Sequence, residues 1–362
     1  MTAPTTPQQL RSYIAPGCPA TRAPCDGSEA PLRIEFGFTP RWYRTRCGLD
    51  FGPRWHLDPQ YRAQTVRQMR AVLRQTFPGL PWHTNEAVPI PNLDGIHGGL
   101  TIARLFGIPV EYYPDNWPAA RLQFVPPETI DRLAPPNLST NPVFEQLESQ
   151  MDDIQREAGR IEGYINWQGV LNSAYRIRGP EIFTDLLVEP GRAHHLFHVV
   201  TQTMLAGMRR VYERQRATGV RVRHATVSNC LVNMVSPGQY REHLRPYDQR
   251  IAEAFDLFGI HNCAWNVNPY LDDYAAFPNL AYVDMGLDSD LPRARDICPD
   301  ARRAVMYTPR DLAAKSEQQL RDDLARILCE LGPCDVVMAD IDDNTPDSRV
   351  AFFARAAASL LP

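Results

Sequence analysis

An alternation running from about residue 155 to the end constrains the fold most. Short apolar, strand-like runs recur at Gly163–Trp167, His224–Ser228, Gly259–Cys263, Leu280–Met285, Ala304–Tyr307 and Asp335–Ala339, with amphipathic stretches between them. Strands separated by helix-length crossovers pair in parallel, because a tight hairpin can join only antiparallel neighbours. With further strands near Arg33–Phe38 and Ile108–Tyr112, the pattern predicts an α/β fold, a (β/α)8 TIM barrel with an N-terminal extension. A doubly wound open sheet is the alternative. Its first βα turn normally carries a glycine-rich phosphate loop, and no G-x-G-x-x-G is present. Residues 1–30, rich in Pro, Thr and Ala, read as a flexible arm, and 31–362 as a single barrel domain.

The helix boundaries are written in capping residues. Over 193–212, Leu196, Phe197, Val200, Met204, Met208 and Val211 recur at helical spacing. Ser236-Pro237 with Gln239, and Ser316 with Gln319, have the form of capping boxes; Thr345-Pro346 reads as an N-cap followed by proline at N1. Pro246 should split the helix that Ser236 begins. Gly332 should stop the helix whose buried stripe is Leu320, Leu324, Ile327 and Leu331.

Composition narrows the function. The chain has 362 residues, 44% apolar, enough for one large core, and a net charge of −4 without any Lys/Arg-rich run, which argues against nucleic acid as a partner. No stretch reaches the ~18 apolar residues of a membrane span, and the first residues lack a basic and then apolar signal pattern. Eight cysteines in so long a chain are not a disulfide framework; a cytoplasmic protein with reduced thiols is expected.

In a barrel the chemistry belongs at the C-terminal ends of the strands. Those ends carry Asn166, Trp167 and Gln168; Asn229 and Cys230; His261 and Cys263; Asp284; Tyr307; and Asp340. Alternation along a strand puts His261 and Cys263 on one side, where imidazole and thiol can share a zinc ion. Zinc needs at least three protein ligands, and Cys230 ends the preceding strand while Asp340 ends the last one. Cys334 precedes its strand and belongs to the opposite end of the barrel. The trio His194, His195 and His198 lies on an amphipathic helix and reads as outer-face histidines. The run Trp42-Tyr43-Arg44-Thr45-Arg46 with Trp55-His56 is either a lid that turns arginines toward an anionic substrate or a packed arm. Glu111 to Trp117 is either a mouth loop or a plain turn.

Three stretches resemble the uroporphyrinogen decarboxylase superfamily, in particular its zinc-dependent, corrinoid-linked methyltransferases. They are Gly179-Pro180-Glu181-Ile182-Phe183 through Leu187-Val188-Glu189-Pro190, Ser236-Pro237-Gly238-Gln239-Tyr240 through Pro246-Tyr247, and His261-Asn262-Cys263 at the place of the family's H-x-C. The resemblance covers roughly 160–360. It implies a (β/α)8 barrel, a zinc held by H-x-C and a later cysteine, and a thiol substrate that takes a methyl group from a corrinoid on a partner protein. The chain departs from the pattern at Ala339-Asp340-Ile341, where those methyltransferases carry the last cysteine. Asp340 or Cys230 would then complete the metal site, with Asn166, Trp167, Gln168 and Asn229 lining a small-molecule pocket and Tyr307 and Asp284 as candidate catalytic groups.

Two other functions are compatible with the sequence. One is a metal-free decarboxylase or lyase using Asp284 or Asp340 with Arg44 and Arg46. The other is a non-catalytic binding barrel whose metal is structural, closed by Cys230, His261, Cys263 and Asp340.

Overall fold

A computed structural model describes residues 11–12, 30–80 and 89–361. Seven strands form one parallel sheet: β1 (Arg11–Ser12), β2 (Leu32–Phe38), β5 (His224–Ser228), β6 (Leu257–His261), β7 (Leu280–Met285), β8 (Arg302–Tyr307) and β9 (Cys334–Ile341). Their order is β1-β2-β9-β8-β7-β6-β5, and every pairing is parallel. Two short strands, β3 (Val110–Glu111) and β4 (Ala119–Ala120), pair antiparallel in a separate ribbon. The parallel α/β expectation is met. Most of the arm expected at 1–30, with Cys18 and Cys25, lies outside the described residues, although Arg11–Ser12 pairs with β2.

Closure differs from the expectation: among the described residues the sheet is open between β1 and β5. The expected strand Gly163–Trp167 is irregular, because its polar groups are used elsewhere. Tyr164 N–H donates to Asp94 Oδ1 at 2.8 Å, Leu93 N–H to Glu162 O at 2.9 Å, and Gln215 Nε2 to Gly163 O at 2.8 Å. Gly163 sits at φ +94°, where a Cβ would stand 2.6 Å from Leu93 N. On the β5 edge, Thr226 N–H finds the Tyr164 hydroxyl at 2.9 Å in place of a strand carbonyl. A side chain does there what a ladder does elsewhere. The expected strand at Ile108–Tyr112 contributes only to the β3–β4 ribbon.

The helices cover the outer face of the sheet. Helix Pro190–Ala217 buries the stripe read from its sequence, with Leu196, Phe197, Val200, Met204, Met208 and Val211 all essentially inaccessible. Burial of such side chains contributes about 1.5–3 kcal/mol each. Both capping boxes form, at Ser236 and Ser316. Helix Glu317–Leu331 ends at Gly332 with its apolar stripe buried. The region after Ser236 breaks as Pro246 requires: a short α turn, a π turn over Tyr240–Leu244, then helix Arg245–Glu253. The last helix, Asp347–Ser359, starts one residue later than expected. Pro346 rather than Thr345 takes the cap position, and no side chain caps it. No helix among the described residues is long and apolar enough to cross a membrane.

The sheet has two differently packed faces. Val305, Tyr307, Val336 and Met338 join the large core beneath the helices, whereas Tyr282, Ala304, Met306 and Val337 form a separate cluster on the inner face with Trp117 and Ala339 against it. That inner face opens at the C-terminal edge of the strands, where the site lies.

Candidate metal centre

The side chains of Cys230, His261 and Cys263 converge at this edge, their ligand atoms all within 4.8 Å of one another. Each is placed by a different device. Cys230 follows β5, and Asn229 N–H extends the ladder to His261 O at 2.7 Å. His261 is the last residue of β6, paired with Ser228. Cys263 lies beyond the strand, so simple alternation does not place it. Its left-handed backbone, φ +60°, returns the sulfur to 3.0 Å from His261 Nε2. The two sulfurs are 2.8 Å apart and free.

Behind these groups stands a fixed polar shell. Asp284, fully buried on β7, is 2.6 Å from His261 Nδ1 and accepts from Asn262 N at 2.7 Å and Tyr282 OH at 2.8 Å. Nδ1 is thereby committed, and Nε2 is the nitrogen turned to the sulfurs. Burial opposes charge on His261, but Asp284 and the Cys230 thiolate outweigh it and hold the imidazole pKa well above its usual value. The two thiols share a proton: the bond from Cys263 pulls Cys230 well down, and the same bond pushes Cys263 up.

Two soft sulfurs and one imidazole nitrogen oriented by a carboxylate suit zinc. Three protein ligands leave a position open, the pattern of a catalytic site. Asp340 is outside that group of three. It lies in a β-bulge of β9, since Phe36 pairs with Met338 and Phe38 with Ile341, leaving Ala339 and Asp340 opposite Gly37. Its exposed carboxylate accepts from Trp117 Nε1 at 3.4 Å.

The structure distributes the remaining candidates unevenly. Gln168 is at φ +59° and bonded to Asn172, whose Oδ1 accepts from Leu231 N–H beside Cys230. Asn166 Oδ1 accepts from Gln168 N–H at 2.9 Å, and both side chains press on Gly99, where a Cβ would stand 1.8 Å from Gln168 Nε2. Trp167 turns the other way and packs on Gly207 under the helices, so it does not line the pocket. Asn229 points its amide at buried Asp248, 2.8 Å away, and anchors the turn instead of facing a substrate. Tyr307 lies on the outer face, donating to Asp323 and packing on Phe353; the odd–even alternation of β8 sends it away from the thiols. Asp284 is too enclosed to meet a substrate and acts through His261.

Sequence reasoning missed Tyr282, though its spacing of two from Asp284 on one strand signals a shared face. It missed Asn172, Tyr240 and Asp248 as well, whose roles depend on contacts between distant elements. Trp42, Tyr43 and Trp55 are fully buried, so the N-terminal segment is a packed arm. Arg46 lies over the Trp42 ring and pairs with Asp347 at 2.6 Å. The Glu111–Trp117 segment reaches the mouth through Trp117. His194, His195 and His198 diverge to His243 and Tyr247, to Leu133 O, and to Arg250.

No family model matches the chain, and no curated protein matches its sequence. Solved structures do. A B12-independent methionine synthase from a Shewanella species superposes with a TM-score of 0.40 at 10% identity, covering 86% of this chain and 95% of that one. A methyltransferase from Methanosarcina mazei superposes with a TM-score of 0.62 at 13% identity, covering 95% of this chain and 96% of that one. Over nearly its whole length, the chain therefore shares the fold of the Methanosarcina methyltransferase.

Proposed function

We propose that the protein is a zinc-dependent methyltransferase that moves a methyl group between a corrinoid, carried on a partner protein, and a thiol or related small acceptor. The observation that carries this reading is the convergence of Cys230, His261 and Cys263 at the C-terminal edge of a parallel sheet, with Nδ1 of the histidine held by Asp284. The fold shared with a methyltransferase and the H-x-C resemblance both favour it. We further read the open sheet as the greater part of a (β/α)8 barrel of the uroporphyrinogen decarboxylase type, in a cytoplasmic protein.

Zinc held there would supply the Lewis acidity that keeps a thiol ionised at neutral pH. The protein's own part is positional. Asp284 fixes the His261 ring and tautomer, and Asn229 and Asn172 hold the turn that carries Cys230. Trp117 packs on the inner face beside the mouth. The decarboxylase alternative is less well supported, because Arg46 is engaged with Asp347 and Trp42. A structural metal would need a fourth protein ligand, which the group of three does not include.

Metal content by mass spectrometry tests the reading. Purified wild type should hold close to one zinc per chain, and Cys263→Ala and His261→Ala should lose it. A metal-free wild type, or a full equivalent retained by both variants, would overturn the proposal.

A further inference from the structure

Asp340 is the feature of the mouth that the metal centre does not absorb. Four described non-glycine residues have left-handed backbone, and three of them, Gln168, Cys263 and Asp340, stand at this edge. The conformation costs free energy in any residue with a Cβ, so its persistence asks for a reason. At Asp340 it belongs to the bulge in β9 opposite Gly37, with φ +59°. A bulge re-aims a side chain without ending the sheet, and bulges gather beside active sites. Glycine would adopt this backbone more cheaply, yet a carboxylate occupies it.

The surroundings of that carboxylate are one-sided. Its one hydrogen bond among the described residues is the long contact from Trp117 Nε1. The carboxylate stands within electrostatic reach of the His261 imidazole and of the Asp342 carboxylate. The same carboxylate stands within electrostatic reach of Cys263, at the same edge of the sheet. On helix Pro40–Cys47, Arg46 pairs with Asp347 and Arg41 leans toward Asp115. A bound anion would meet the Asp340 carboxylate as a like charge. A cation would find a carboxylate backed by the indole of Trp117.

We propose that Asp340 is a specificity-determining residue that selects a thiol bearing a positively charged nitrogen, a short aliphatic aminothiol, and rejects thiols carrying a sulfonate or carboxylate. This rests on the reading of the Cys230–His261–Cys263 group as an open zinc site that takes a thiol. The sulfur would go to the metal position and the ammonium to Asp340.

Binding to the cobalt-substituted full chain tests this without turnover, because thiolate–cobalt absorption reports the thiol directly. The probes are cysteamine, 2-mercaptoethanol and 2-mercaptoethanesulfonate, positive, neutral and negative on one carbon skeleton, with their three-carbon homologues. Cysteamine should bind tighter than 2-mercaptoethanol by roughly two- to fivefold, the scale of one partly exposed charge pair, and the sulfonate more weakly than either. Asp340→Asn keeps the shape and tolerates the left-handed backbone. It should retain cobalt and the neutral thiol but lose the order among the three. An unchanged order in Asp340→Asn, or a preference for the sulfonate in wild type, overturns the assignment of Asp340 while leaving the thiol site intact. Failure of every thiol to perturb the cobalt spectrum overturns both.

Discussion

His261 has one nitrogen facing a carboxylate and the other facing two sulfurs, so the position of its ring depends on Asp284. Such outer partners fix the tautomer and raise ligand basicity. Asp284→Asn keeps the volume and removes the charge, so zinc affinity, measured by competition with a chromophoric chelator, should fall about 10- to 100-fold. Equal affinity in the two proteins would mean that Asp284 serves only the fold. At this scale the sequence was partly legible. Residue type and strand end were enough to bring Cys230, His261 and Cys263 to notice. They could not tell that Tyr307 and Trp167 face the helices, because which residues point inward depends on where each strand begins. Nor could they place Cys263, whose position comes from one left-handed turn and not from alternation.

Among the elements, the π turn Tyr240–Leu244 ties the outer helices to the site. Tyr240 OH and Asn229 Nδ2 both donate to Oδ2 of Asp248, at 2.9 and 2.8 Å, and Asn229 precedes Cys230. Pro246 was readable as a break, since proline removes an N–H from the helix ladder. The carboxylate beneath that break was not, because nothing local marks Asp248 as buried. Burial pushes its pKa from 3.8 up to about 6, against the two hydrogen bonds that pull it down. A carboxyl raised in the folded state steadies the fold while protonated. That contribution is full below pH 3.8 and is lost as pH rises through 6, a swing of about 3 kcal/mol at most. Asp248→Asn can accept the same two bonds without ionising. Between pH 4 and 8 its Tm should therefore gain on wild type as pH rises; a difference that stays constant with pH would refute the ionisation argument.

Across the whole molecule, the segment that keeps the sheet open also carries a buried histidine whose pKa is held down. The alternation of strands and helices made the parallel sheet legible, since crossover length decides strand direction. The open edge was not legible, because Gly163–Trp167 has the composition of a strand and is kept from one by distant Asp94 and Gln215. The segment that carries Asp94 also carries His97, and with His56 it builds a buried polar cluster containing Arg62, Arg104 and Tyr112. Burial and the neighbouring guanidinium of Arg62 hold the His56 pKa down at about 3, and burial with Arg104 holds His97 well below its usual value. A histidine depressed in the folded state stabilises the protein above its unfolded pKa of 6.5, and that stability drains as pH falls toward 3. Each such group steepens the loss by about 1.4 kcal/mol per pH unit, opposite in sign to Asp248. His56→Phe preserves a ring against Trp55 and Tyr112 but takes up no proton. Urea unfolding at pH 7, 6, 5 and 4.5 should show a slope shallower than wild type by about that amount, whatever the variant's stability at pH 7. Parallel slopes would mean that His56 is already protonated in the fold or never exposed on unfolding, and any acid sensitivity would then have to come from His97.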